Sequence, residues 1–82
     1  EAKAREHFRR AVALSEGLSA APYVSLAETV CVQKQDRKEF EALLKQALAV
    51  DVSRRPESRL SNLVLQQRAR WLLGQADALF VP

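Results

Sequence analysis

Phe8-Arg9-Arg10-Ala11-Val12-Ala13-Leu14 and Leu44-Lys45-Gln46-Ala47-Leu48-Ala49-Val50 share one pattern and lie 36 residues apart. Each has a large apolar residue, an alanine three positions on, and a second large residue three further. A repeat of this length is the mark of a helix-pair solenoid, in which each pair buries its apolar side on the next. Between the two copies, Tyr23-x2-Leu26-Ala27-x2-Val30 again sets large beside small at helical spacing. Ala11, Ala27 and Ala47 are expected to let helix axes approach closely, while the larger residues fill the gaps between ridges.

Working outward, the spacing predicts helices over about residues 2–16, 22–32, 37–50 and 56–80. Ala4, Phe8, Ala11, Val12 and Leu14 form the first apolar stripe, and Gly17 ends it by supplying a left-handed conformation. Pro22 suits the first turn of the second helix, whose buried side is Tyr23, Leu26, Ala27, Val30 and Cys31. Asp36-Arg37-Lys38-Glu39 has the spacing of a capping box, and Phe40, Leu43, Leu44, Ala47, Leu48 and Val50 follow as the third face. Glu41 and Lys45 stand four apart, as an exposed ion pair would. Pro56 and Glu57 restart a helix that meets no breaker before Phe80 except Gly74, about 35 Å long at the usual rise. It bears two stripes. Leu60, Val64 and Trp71, with Gln67 between them, lie along one; Leu65, Ala69, Leu72, Leu73, Ala76, Leu79 and Phe80 lie along the other. A helix apolar on two sides has two neighbours, or one neighbour and a missing partner.

The 82 residues and 9.2 kDa allow one small domain, and a chain of this size hides only about 60% of the surface its unfolded form exposes. Hydrophobic residues at 48% with 28% charged indicate a folded chain rather than a disordered one. No run approaches the roughly 18 uncharged apolar residues of a membrane span. Cys31 stands alone, which excludes a disulfide framework and reads as a small core residue. Two glycines and three prolines are too few for the turns of an all-β protein, so the class is all-α. Glu1-Ala2-Lys3-Ala4 opens without Met, signal or cap, as a piece cut inside a helix would. A targeting signal is then expected upstream, and a small domain with an uncovered helix side is expected to self-associate.

The large-x2-Leu-small-x2-large string at Tyr23 resembles the first helix of a tetratricopeptide repeat, and Ala4-x3-Phe8-x2-Ala11 resembles its second. Leu60-x2-Leu63-Val64 would start a third copy that runs on as a terminal capping helix, giving a four-helix solenoid fragment. The period exceeds the tetratricopeptide norm, and Val52 replaces a frequent proline. More specifically, Pro22-Tyr23-Val24-Ser25-Leu26-Ala27-Glu28 and Gln35-Asp36-Arg37-x2-Phe40-x2-Leu43-Leu44-x2-Ala47-Leu48-Ala49-Val50-Asp51 resemble the T components of tripartite ATP-independent periplasmic (TRAP) transporters. Arg59-Leu60-x-Asn62, then Gln67-Arg68-Ala69-Arg70-Trp71-Leu72-Leu73 and Asp77-x2-Phe80, add to the likeness, which runs from about Ala4 to Phe80. It corresponds to the C-terminal portion of that family. The resemblance implies a periplasmic, helical, membrane-anchored lipoprotein that assembles with a substrate-binding P subunit and handles hydrophobic ligands. Cys31, in mid-chain, cannot be the lipid-bearing N-terminal cysteine of such a protein.

Chemistry is sparse. His7 is the sole histidine and reads as a solvated or half-buried residue; this scarcity leaves no Ser-His-Asp or Cys-His arrangement, a metal site would need several converging ligands, and no glycine-rich phosphate loop is present. No enzymatic activity and no cofactor are expected. Glu1 with Arg5 and Glu6 with Arg10, like Glu41 with Lys45, offset much of the basic charge. Arg54, Arg55 and Arg59 remain, with Arg68 and Arg70 beside Trp71; they make a solvated surface more readily than the continuous basic stripe of a nucleic-acid binder. Trp71 has two readings. It fills the seam between the last helix and the third, or with Leu60, Val64 and Gln67 it lines a concave groove for an apolar ligand or partner. Arg68 and Arg70 are then either plain solvated residues or rim contacts to a partner protein. A binding module of a transporter T component is the leading expectation; a general tetratricopeptide adaptor is the alternative, with nucleic-acid binding behind it.

Overall fold

A computed structural model of the chain describes residues 2–80. The Glu1–Arg5 pair expected above lies outside the described residues. Helix α1 (Ala2–Ser15) closes with the Glu16 amide donating to the Ala13 carbonyl at 3.2 Å and the Gly17 amide to the Val12 carbonyl at 3.0 Å. Both residues are left-handed, at φ 56° and 72°, so the stop begins at Glu16, one residue before the glycine.

Helix α2 (residues 21–34) starts with Pro22 in its first turn and runs two residues past its expected end. Its middle, Ala27–Cys31, is a π-helical turn. The wider turn brings Ala27, Val30 and Cys31 onto the same buried side as Val24 and Leu26, while Tyr23 is only half-buried. The helix ends as α1 does. Gln35 is left-handed at φ 58°, its amide donates to Val32 at 3.1 Å, and the Asp36 amide donates to Cys31 at 2.9 Å.

Asp36 caps α3 (Arg37–Ala49), its carboxylate accepting the Glu39 amide at 3.1 Å. The reciprocal half of the capping box is missing, because the Asp36 amide is already taken by the Cys31 carbonyl. The Glu39 carboxylate instead receives both arms of the Arg5 guanidinium at 2.7 and 2.8 Å, a stronger charge-assisted pair. Glu41 likewise accepts from Arg37 at 3.0 Å rather than from Lys45, whereas Glu6 and Arg10 pair at 3.1 Å as their spacing suggests.

The segment expected as one helix over 56–80 is divided. Short 3-10 turns at Val52–Arg54 and Pro56–Ser58 lead into α4 (Arg59–Gly74), about 24 Å long, and a single turn, α5 (Ala76–Leu79), follows. No strand occurs among the described residues, so the all-α class holds.

Phe40, Leu44, Ala47, Ala27, Cys31 and Ala69 are fully buried at the centre, and Phe40 meets Phe80 edge-on at 4.9 Å. Helix α2 touches α1, α3 and α4, and α3 packs along α4. Ala27 and Ala47 sit in these seams as predicted. Helix α1 is different: it contributes no fully buried residue, Ala11 is half-buried, and Leu14, expected on its apolar face, is 78% exposed. Its hold on the rest comes from Phe8, edge-on to Tyr23 at 5.6 Å, and from the Arg5–Glu39 pair. The molecule measures 40 × 27 × 14 Å along its principal axes.

Candidate interaction surface

The inner side of α4 is held by two carboxamides that periodicity of apolar residues does not single out. Asn62 is 2% exposed; its Oδ1 accepts the Ala20 amide and its Nδ2 donates to the Leu18 carbonyl, both at 3.0 Å. One side chain therefore satisfies two backbone groups of the α1–α2 connection. Gln66, one turn on and equally buried, donates from Nε2 to the carbonyls of Ala47 at 3.1 Å and Val50 at 3.0 Å. Both carbonyls lie at the C-terminal end of α3, where helical partners run out; Ala47 also accepts the Val50 amide at 3.4 Å. Asn62, Gln66, Ala69, Leu72 and Ala76 thus fix one face of the last segment against everything before it.

The opposite face of α4 carries the residues singled out as a site. Leu60, Val64, Gln67 and Trp71 recur at four- and three-residue steps, which puts them on one line along the helix. All four are exposed, Leu60 by 77%, Val64 by 57% and Trp71 by 56%. Trp71 therefore does not fill the seam against α3; Ala69 and Leu72 do. The inner carboxamides turn the row of four outward, away from the packed side of α4. For the same reason Leu60-x2-Leu63-Val64 is not the core register of a third repeat, since Leu60 and Val64 face away from the fold.

Trp71 is held in place from the side. The Arg68 guanidinium lies 5.5 Å from the ring centroid and grips both carboxylate oxygens of Glu28, Nη2 to Oε2 at 3.1 Å and Nε to Oε1. Glu28 belongs to the π-helical turn of α2, so the stack joins α2 to α4 across the surface. The Glu28 carboxylate pushes the Arg68 pKa further up, so the cation persists at any working pH. Arg70 is exposed and makes no such pair.

A concave space lies between other helices. A groove of about 230 Å³ opens between α1 and α2, with Ala4, Phe8 and Ala11 on one wall, Pro22 and Leu26 on the other, and His7, Ser25 and Thr29 at its polar edges. The Ala4-x3-Phe8-x2-Ala11 spacing was the available signal for it, although that spacing predicts packing and not an opening. Cys31 is buried beneath, its thiol 3.4 Å from Glu39 Oε1. Burial first, and then the hydrogen bond to Glu39, push its pKa up to about 12, which keeps the thiolate from forming near neutrality. Among the described residues no three His, Cys, Asp or Glu side chains converge as a metal site, and no helix is long and apolar enough to cross a membrane.

An uncharacterized protein of Treponema pallidum (strain Nichols) is 30% identical over 59 residues, covering 72% of this chain. The chain spans only 18% of that relative's length. No solved structure matches. The model of the TRAP transporter T-component family matches residues 1–80, all but the last two positions of this helical chain, which therefore belongs to that family.

Proposed function

We propose that this chain is a non-catalytic binding module of a TRAP transporter T component, and that it contacts the substrate-binding P subunit through the outer face of α4. The observation that carries the reading is the exposed row of Leu60, Val64 and Trp71 on a helix whose other face is already fully engaged. Isolated exposed apolar residues need no explanation, but three in line with a braced tryptophan have the composition of an interface core. Membership of the family supports an association with a TRAP transporter, and with it a periplasmic or membrane-associated setting. The parent is then a membrane-anchored periplasmic lipoprotein.

The contacts of α2 with α1, α3 and α4 favour stacked helix pairs of the tetratricopeptide kind, in which α4 acts as the capping helix. The α1–α2 groove, apolar along its walls, suits part of a hydrophobic ligand. Co-purification of the full-length protein with its P subunit tests the first half of the reading, and mass spectrometry of small molecules extracted from the native protein tests the second. A reproducible complex is expected; a full-length protein that never retains the P subunit would refute the assignment.

A further inference from the structure

The outer face of α4 is charged as one-sidedly as it is apolar. From Ser58 to Ala76 the sequence contains three arginines and no carboxylate. Arg59 and Arg70 lie on the same flank of the Leu60–Val64–Trp71 row, exposed and without an ion-pair partner among the described residues. On the other flank Arg68 is committed to Glu28. By contrast α1 and α3 both carry carboxylates, and Arg10 and Arg37 are paired on their own helices. A surface that fits α4 must supply apolar contact along the row and negative charge beside Arg59 and Arg70.

We infer that the occupant is an acidic amphipathic helix or strand of a partner protein, with Trp71 as its pre-formed anchor and the Arg68–Glu28 pair as the positioning device for that anchor. The inference rests on the reading that α4 is the contact face, and adds the chemistry of what it contacts. An anionic lipid surface would also answer arginine and tryptophan, but two features disfavour it. Gln67 puts a carboxamide in the middle of the row, which acyl chains cannot satisfy and a peptide group can. Arg68 covers part of the Trp71 ring while bound to Glu28, so inserting the indole into a bilayer would also desolvate a bound ion pair. A protein surface gains from the same rigidity, because an aromatic anchor already held in place costs less order on binding.

The test uses the full-length protein in its native cell with a photo-crosslinking amino acid at position 67, and mass spectrometry of the joined peptide. The expected product is a peptide with apolar residues at regular spacing and Asp or Glu beside them. The double variant R59E/R70E should lower its yield about tenfold, and Glu28→Gln should lower it while the melting midpoint is unchanged. Capture of a neutral or basic peptide, of a second copy of this chain or of lipid would overturn the inference, as would an R59E/R70E yield equal to wild type. Vesicles of phosphatidylglycerol that bind the purified full-length protein only while Trp71 is intact would also count against it. An acidic peptide from a protein other than the P subunit would sustain this inference while refuting the P-subunit assignment. A P subunit that co-purifies but joins elsewhere than position 67 would do the reverse.

Discussion

The two faces of α4 invert the usual arrangement of polar and apolar groups. The inner face buries Asn62 and Gln66 among Ala69 and Leu72, and the outer face exposes Leu60, Val64 and Trp71 around Gln67. Three carboxamides on one helix thus meet opposite environments. The inner two are tolerated because four backbone groups of the α1–α2 connection and the α3 terminus need partners that apolar side chains cannot supply. The outer apolar residues have no such local reason to be where they are. One face therefore ties α4 to the fold, and the other is the face to which we assign recognition.

The sharpest way to break this contrast is to truncate the inner face. Asn62→Ala removes the partners of the Leu18 carbonyl and the Ala20 amide, and should cost about 2–3 kcal/mol in urea unfolding. Ala47→Leu should cost about 1–3 kcal/mol by overpacking a fully buried seam, whereas Ala11→Leu, beside the open groove, should cost less. Equal midpoint shifts for the two alanine variants would show that α1 packs as tightly as α3. Leu60→Ala should stay within about 0.5 kcal/mol of wild type, since an exposed side chain loses little on truncation. The smallest effect near neutral pH concerns Cys31. Its folded pKa lies above the ordinary thiol value of 9.0, so the folded form keeps a proton that the unfolded chain releases. Stability should be insensitive to this thiol below about pH 9 and fall from there toward about 12, followed by denaturant titration across that range. A rise in stability over the same interval would mean that the thiol is not enclosed.

Much of the architecture could be read from the chain because it depends on periodicity. Phe40, Leu44 and Ala47 recur at helical steps and are buried, and Asp36 caps α3 as its position indicates. The row of Leu60, Val64, Gln67 and Trp71 was equally visible. Whether that row faces inward or outward was not, because the decision belongs to Asn62 and Gln66, whose partners lie 42 and 19 residues away. The break after Gly74 was marked by the glycine, but the π turn of α2 and the outward Leu14 follow from tertiary packing and leave no local signature. Glu39 illustrates the same limit, since its capping role was overridden by Arg5, a residue 34 positions earlier.

The most direct measurement compares Trp71→Ala with wild type in the full-length protein, recording affinity for the P subunit and urea midpoint on the same preparations. The two-faced account predicts binding weakened about 30-fold or more, as for an interface anchor, with the midpoint unchanged. Unaltered affinity, or a midpoint that falls as far as that of Asn62→Ala, would contradict it.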